Sequence, residues 1–406
     1  MITRQIFFVL AAMALSTACA RAQIIKPLLP PSGTATTFAQ SIDNNNQAVG
    51  WSPISGTDTA TLWRPTGGTY TAQALPVPAN NAHSVANSIA LTGNTIAGYA
   101  QPADQSTATA TLWNQTSPNV YSATALPSTA GAVLSSAYSI STSGHVAGFA
   151  TDAGDVTRAV LWNPAHTPVV LPNVGPNQVQ SSATAVNSFG EVVGYYVLTQ
   201  NMIDKVYASV WTPNGAGYTT HTVIAAGDDT LISAMNDYGT GAGVTNGDQA
   251  AVMAYFEGDY YAAELDVPFG SSDSAANAVN SFDGLCGYLK DPTTGQAGSE
   301  AALWLPTETS WQLINLDQFL NQRSPSLGSQ WILTDATGIN DNWLVTGNGL
   351  FNGVERGFVL DISSLVPEPA TMSMVFLPLV LMVRRRTHSA SAQTRGRSSG
   401  SSKSST

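Results

Sequence analysis

The sequence predicts an all-β fold, a closed seven-bladed β-propeller with four-stranded blades. A motif of aliphatic, polar, turn, aliphatic and glycine residues occurs seven times, and its terminal glycines are 44 to 60 residues apart. This spacing is the period of a four-stranded propeller blade. The composition agrees, because 35 glycines and a charged fraction of only 10% are typical of short strands joined by turns. The motif glycines are Gly50, Gly98, Gly148, Gly194, Gly243, Gly287 and Gly347.

Each repeat contains the elements of one blade. In the first copy, the Asn residues after Ile42 predict a tight turn, because Asn tolerates a positive φ. Gly50 allows a neighbouring backbone to approach the second strand closely. Four short strands with two apolar faces are unstable alone, so we expect the units to stack face to face in a ring. The predicted strands are the segment ending at Ile42, Gln47–Ser52, Thr59–Arg64 and Tyr70–Leu75.

A second motif, Ala-x-Leu-Trp or a close variant, follows the glycine in five repeats and is degenerate in the fifth and seventh. We interpret its Trp as a packing group of the third strand, and a sugar-binding platform is the alternative. A Leu-Pro pair then ends the fourth strand at Pro76, Pro127 and Pro172. The motif tryptophans are Trp63, Trp113, Trp162, Trp211 and Trp304.

The two ends of the repeat region complement each other. Ile24–Pro30 resembles a fourth strand without the three strands before it. The seventh copy reaches Val359 and Leu360 and has no fourth strand of its own. We therefore expect the N-terminal segment to complete the last blade and close the ring. The propeller is predicted to occupy residues 23–364, with a longer insertion at Leu316–Trp331.

The N-terminus has the layout of a secretory signal peptide, predicted for residues 1–22. A basic residue precedes an apolar run, and the small residues Ala20 and Ala22 suit a signal peptidase. Cleavage would leave Gln23 as the first residue. Lipidation of Cys19 is the alternative. Lipoprotein signals typically have a branched aliphatic residue three positions before the Cys, whereas Leu15 is four positions before it.

The C-terminus predicts a sorting segment over residues 365–386. A Pro-Glu-Pro sequence precedes an apolar run, Met372–Val383, which predicts a C-terminal apolar helix. Its twelve residues span about 18 Å as a helix, whereas a bilayer needs about 20 residues, so we expect transient membrane contact. Residues 387–406 predict a disordered, basic, Ser-rich tail. The residues of the predicted sorting signal are Pro367, Glu368, Pro369, Arg384, Arg385 and Arg386.

These residues support two resemblances to known families. The C-terminal segment resembles the PEP-CTERM sorting signal of Gram-negative bacteria, although Pro378 interrupts its helix and a tail follows its arginines. That resemblance implies processing by an exosortase-type enzyme, and an ordinary single-pass anchor is the alternative. The repeats resemble the HAF family of extracellular repeats, best at Val186–Gly194, without the His-Ala-Phe triplet of that family. This resemblance implies export and a propeller-like fold.

The charge distribution excludes one class of partner. Residues 23–369 carry 7 Lys or Arg against 26 Asp or Glu, a net charge of −19. A body this acidic repels phosphate backbones, so we expect no nucleic-acid binding.

No residue pattern predicts catalysis, a cofactor or a metal. The histidines are scattered along the repeats without metal-ligand spacing, and His145 occupies a turn position. Asp43 and the Asp228-Asp229 pair lack the alternation of a calcium loop, so we interpret them as turn residues. Cys286 is predicted to be a small buried residue rather than a nucleophile.

Two functions fit this sequence. The first is a non-enzymatic scaffold or binding module at the cell surface or in the extracellular matrix, with an exosortase-type enzyme as partner and an exopolysaccharide or envelope glycan as possible ligand. The second is a carbohydrate-binding lectin or carbohydrate-active enzyme acting at the central face of the propeller. The second function predicts carboxylates and aromatic residues at one mouth of a central channel.

Overall fold

Seven β-sheets stand in a ring around a central channel, as the sequence predicts. The computed structural model describes residues 24–366, except 33–35, 176, 201–202, 226–228, 269–270, 272 and 291–297. In each sheet the first strand of the repeat is innermost, and it contacts the first strands of both neighbouring blades. The chain is therefore an all-β seven-bladed propeller with four-stranded blades.

The first strand of the chain, β1 (Ile25–Leu28), belongs to the last blade. Blade 1 consists of β2 (Phe38–Ile42), β3 (Ala48–Ile54), β4 (Thr57–Thr66) and β5 (Thr69–Ala74). Blade 2 consists of β6 (His83–Ile89), β7 (Thr95–Gln101), β8 (Thr109–Ser117) and β9 (Val120–Ala125). Blade 3 consists of β10 (Ala132–Ile140), β11 (Val146–Asp152), β12 (Thr157–Trp162) and β13 (Pro168–Val170).

The remaining blades repeat this order. Blade 4 consists of β14 (Gln178–Val186), β15 (Val192–Gln200), β16 (Ile203–Asn214) and β17 (Gly217–Thr222). A short strand, β18 (Ile224–Ala225), precedes blade 5, which consists of β19 (Leu231–Met235), β20 (Gly241–Thr245), β21 (Gln249–Phe256) and β22 (Asp259–Glu264). Blade 6 consists of β23 (Ser274–Val279), β24 (Leu285–Leu289), β25 (Glu300–Pro306) and β26 (Trp311–Asn315).

The predicted insertion holds two short helices, α1 (Leu316–Arg323) and α2 (Pro325–Gly328). Blade 7 follows with β27 (Trp331–Ile339), β28 (Leu344–Phe351) and β29 (Val354–Asp361), and a 3-10 turn covers Ser363–Leu365. In the described part of the chain, no helix is long and apolar enough to cross a bilayer. The predicted apolar helix at Met372–Val383 lies outside the described residues.

The N-terminal strand closes the ring. β1 pairs antiparallel with β29, so that Ile25 lies opposite Leu360 and Leu28 opposite Gly357. Ile25 and Leu28 are fully buried. The indole nitrogen of Trp63 in blade 1 donates a 2.7 Å hydrogen bond to the carbonyl of Leu29. The segment is thus held between blades 7 and 1, which confirms the predicted circular closure.

Each motif glycine packs against a bulge in the inner strand. The register of the first two strands shifts by one residue beside all seven glycines, for example between Ala183 and Ala185 in blade 4. A Cβ on Gly194 would lie 2.0 Å from the Ser182 carbonyl oxygen, and the corresponding distance at the other six glycines is 1.9 to 2.1 Å. Only glycine fits there, which confirms the close backbone approach predicted from the motif.

The motif tryptophans of five blades each form a hydrogen bond to the preceding blade. All five are fully buried, which confirms the packing interpretation and rules out sugar platforms. Each indole nitrogen donates to a carbonyl just beyond the fourth strand of the preceding blade, at 2.7 to 3.3 Å. In three interfaces the acceptor is the Pro of the Leu-Pro pair, so the two motifs form one interaction. Those acceptors are Pro76, Pro127 and Pro172.

The two repeats without Trp use different contacts. Met253 replaces Trp in blade 5, and there the segment leaving blade 4 pairs as β18, parallel to β22, adding a fifth strand. Leu360 replaces Trp in blade 7, where the carboxylate of Asp317 accepts a 3.0 Å hydrogen bond from the Leu333 backbone. The sequence did not predict either contact, because β18 and α1 lie outside the repeated motifs.

We predict that Gly194→Ala destabilises the propeller strongly. The added methyl group would overlap the Ser182 carbonyl, so the inner strands must move apart. The expected loss is about 3 kcal/mol or more of the free energy of unfolding, measured by urea denaturation. Gly217→Ala is the control, since its nearest atom would be 4.0 Å away, and equal stability of the two variants would contradict the close-approach argument.

Candidate functional site

The predicted processing residues lie outside the described part of the chain. This applies to the signal cleavage residues Ala20, Ala22 and Gln23 and to Cys19. It applies equally to the sorting residues Pro367, Glu368, Pro369, Arg384, Arg385 and Arg386. These assignments stay predictions.

The other residues considered from sequence have structural contacts. Cys286 is fully buried, and burial together with the charge of Asp335 raises the pKa of its thiol well above the usual range, which confirms the buried reading. His145 contacts the Ser143 hydroxyl at 2.8 Å within a turn, as predicted. Asp229 accepts a 3.0 Å hydrogen bond from the Val206 backbone. Among the described residues, no group of three or more His, Cys, Asp or Glu is placed to hold a metal.

The candidate site is the central channel. Its volume is about 660 Å³, within the range of about 300 to 1,000 Å³ that is usual for small-molecule sites. The seven inner strands supply its wall, chiefly with hydroxyl, amide and small side chains. No Lys or Arg lines it among the described residues. The channel can therefore form neutral hydrogen bonds and disfavours anions.

The bulges turn polar side chains toward the channel, where several join neighbouring blades. The Asn87 amide donates to the Ala137 carbonyl at 2.8 Å, and the Thr337 hydroxyl donates to the Ala39 carbonyl at 3.0 Å. Asn277 and Thr184 bond the next blade in the same way. These side chains occupy the bulge position. The bulge that accompanies each motif glycine therefore also places polar groups in the channel wall.

One end of the channel, which we call the turn face, carries the turns between the first and second strands. The turns are 43–47, 90–95, 141–145, 187–191, 236–240, 280–284 and 340–344. The first residue is Asn in four of them. Asn280 shows its role: its amide oxygen accepts from the backbone of Phe282 and Gly284, and its amide nitrogen donates to the Asn340 carbonyl. The repeated Asn therefore caps its own turn and can join the next blade.

Blade 1 has Asp43 at this position. Its carboxylate accepts hydrogen bonds from the Gln47 backbone at 2.6 Å and from the Gln47 side chain at 2.9 Å. The residue is fully buried, and burial raises the pKa of Asp43 to about 6 in spite of these bonds. Burial likewise raises the pKa of Asp335 in the channel wall to about 6, against a hydrogen bond from Asn277.

Toward the opposite end of the ring, which we call the distal face, aromatic residues recur in the second strands. The residue after the motif glycine is aromatic in five blades and lies opposite the inner-strand residue just before the bulge. Tyr195 of this set lines the channel. Sequence analysis missed this position, although the repeated Gly-aromatic pair was a visible signal. The five residues are Trp51, Tyr99, Phe149, Tyr195 and Tyr288.

Comparisons with known proteins concern the architecture. The sequence matches no protein-family model and no curated protein. The structure of YCF48 bound to D1 peptide is 14% identical, with a TM-score of 0.46 over 86% of this chain and 98% of that chain. The propeller domain of the Trilobed protease from Pyrococcus furiosus is 8% identical, with a TM-score of 0.46 over 85% of this chain and 99% of that one. Both likenesses concern the propeller fold alone.

A fungal lectin is also similar. The six-bladed fucose-recognising lectin from Aleuria aurantia is 11% identical, with a TM-score of 0.37 over 67% of this chain and 89% of that chain. This likeness, too, is limited to the architecture.

We predict that Asp43→Asn makes the protein more stable at pH 7 than the wild type, and equally stable near pH 3.5. Between the ordinary pKa of 3.8 and about 6, the folded protein holds a proton that the unfolded chain releases. The free energy of unfolding therefore falls as pH rises through this window, by up to about 3 kcal/mol for a shift of about two units.

The measurement is urea denaturation of both proteins from pH 3.5 to 7.5. Asn fits this position, since it caps the equivalent turns beginning at Asn187, Asn236, Asn280 and Asn340. The reciprocal variant Asn280→Asp should lose stability as the pH rises. A constant difference between wild type and Asp43→Asn across the pH range would contradict the assignment.

Proposed function

We propose that this chain is an exported binding module, held near a surface through the turn face of its propeller with the distal face directed outward. The observation that carries this proposal is the place where the chain enters and leaves the ring. The Asp361 backbone donates to the Ile24 carbonyl at 2.7 Å, and the Ile362 backbone donates to the Trp343 carbonyl at 3.0 Å. Trp343 belongs to the last turn of the turn face, so both ends emerge there together.

The sequence gives these two ends a role. The predicted signal peptide, residues 1–22, and the predicted sorting segment, residues 365–386, directly adjoin them. A tether attached at either end pulls on the turn face and leaves the distal mouth of the channel accessible. The resemblance of the tail to PEP-CTERM signals makes an exosortase-type enzyme the processing partner and the envelope or matrix of a Gram-negative bacterium the location. The resemblance of the repeats to HAF repeats also favours export.

Binding is favoured over catalysis by the state of the channel carboxylates. Asp237 accepts a 2.7 Å hydrogen bond from the Ser188 backbone, and Asp341 accepts one of 2.8 Å from the Ser281 backbone. Both therefore hold turns of adjacent blades together, and Asp335, the third acid in the channel wall, accepts a 2.8 Å hydrogen bond from Asn277 of blade 6. Glycoside hydrolysis needs an acid and a base on either side of the scissile bond. We accordingly propose a non-enzymatic role, with carbohydrate binding as its most specific form and a carbohydrate-active enzyme as the alternative.

The sorting part of this proposal is tested in the native host. Glu368→Gln, or deletion of residues 384–386, is expected to block C-terminal processing and to retain the protein in the membrane fraction. Arg397→Ala, beyond the arginine cluster, is the control and should be processed normally. The measurements are intact mass and fractionation. Variants that match the wild type in mature mass and location would refute exosortase-type sorting.

A further inference from the structure

Three tyrosines lie in adjacent blades, and we call them the tyrosine arc: Tyr99 in blade 2, Tyr138 in blade 3 and Tyr195 in blade 4. Tyr138 is the bulge residue of its inner strand, and both it and Tyr195 line the channel. The strand of Tyr138, β10, packs against the strand of Tyr99, β7, and the nearby phenols of Tyr195 and Tyr99 add to the effect of burial in raising the pKa of Tyr138 to about 12. The arc therefore behaves as one cluster.

The hydroxyl groups of the arc lack protein partners. None of the three forms a hydrogen bond with another group in the described ranges of the chain. Other tyrosines in the propeller do: Tyr70 donates to the Asn46 carbonyl at 2.9 Å, and Tyr121 donates to the Gly93 carbonyl at 3.1 Å. Those two hydroxyls bond turns of their own blades, whereas the hydroxyls of Tyr138 and Tyr195 are free to bond a molecule in the channel.

The arc also offers an aromatic surface. Tyr138 is 39% exposed, although most large side chains of the inner strands are buried. Its ring is supported from behind by Phe149, with ring centroids 5.4 Å apart and planes inclined by 40°. A ring fixed in this way presents a rigid apolar face at low entropic cost, which is what a flat ligand with C–H groups on one side requires.

The channel wall beside Tyr138 and Tyr195 is neutral, while the charge of Asp58 lies near Tyr99 and adds to the effect of burial in raising the pKa of Tyr99. Asn87 and Thr184 line the channel in the flanking blades, with Ser139 next to Tyr138. The Asn87 nitrogen bonds the Ala137 carbonyl, and its amide oxygen has no donor among the described residues. The channel acids Asp237 and Asp341 belong to turns of the turn face. Hydroxyls, amides and aromatic faces without a cation match a ligand rich in hydroxyl groups and without charge.

We propose that the tyrosine arc is a binding site for a neutral saccharide. One sugar ring stacks on Tyr138, and its hydroxyls bond the phenol group of Tyr195 and the amide oxygen of Asn87. The site rests on the proposed function in one respect, because it needs the distal mouth to face outward in the cell. Binding by the purified protein does not depend on that orientation.

The test uses the purified full-length chain on an array of neutral and acidic oligosaccharides, followed by calorimetry with the best neutral ligand. Tyr138→Ala is expected to weaken binding at least tenfold. Tyr138→Phe keeps the ring and should weaken it less, and Tyr195→Phe removes one hydroxyl without opening a cavity. Phe189→Ala is the matched control, since Phe189 is an aromatic side chain 69% exposed on the turn face, and it should bind within twofold of the wild type.

Four results would overturn the proposal: binding of no neutral oligosaccharide, binding of acidic ones only, an unchanged affinity in Tyr138→Ala, or an equal loss in Phe189→Ala. Tetramethylammonium is the competing probe, because aromatic rings near carboxylates also bind quaternary cations. Its binding to the wild type and not to Tyr138→Ala, without sugar binding, would assign the arc to a cation. If the protein is sorted correctly in the host and any of these results is obtained, the saccharide site is refuted and the proposed export and sorting are not.

Discussion

The structure depends on the pairing of β1 with β29. Seven stacked sheets leave two apolar blade faces uncovered unless the first and last blades meet, and four residues at the start of the ring make that contact. Leu28 packs with Val359 on one side and with Trp63 on the other, so a single side chain belongs to both terminal blades. Because strand pairing fixes the ends of the ring to each other, it also fixes where both chain ends emerge. The orientation proposed for the propeller is a consequence of this closure.

Close packing at the centre explains why the channel is polar. The motif glycines let the second strand touch the carbonyl groups of the inner strand, and the one-residue bulge that accompanies them turns an additional side chain inward. Where that side chain is Asn or Thr, it can bond the next blade, as Asn87 and Thr337 do. Where it is Tyr138, no such bond forms, and the aromatic ring remains available to a ligand. One backbone feature thus gives both the rigidity of the ring and the variable chemistry of its channel.

The sequence was informative wherever a physical requirement recurs in every blade. The motif glycines, such as Gly194, satisfy a steric need and the motif tryptophans, such as Trp162, a hydrogen-bonding need that recurs around the ring, so their spacing predicted the number of blades. Closure was predicted from the missing fourth strand of the seventh repeat. The channel site could not be predicted in this way, because the bulge position differs from blade to blade. The extra strand β18 could not be predicted either, since it occurs in one blade and belongs to no repeated motif. A side chain such as Tyr138 occurs at the bulge of one blade only, so no repeat in the sequence reveals it. Its neighbours are known only once the fold is known.

In this view of the molecule, a closed propeller carries two removable ends on one face and displays the other face. Intact mass spectrometry of the mature protein from its native host is the decisive measurement, since it defines both termini at once. We expect a chain that begins at Gln23 and ends near Pro367–Pro369. A mature protein that retains residues 1–22, or that extends to Thr406, would contradict it.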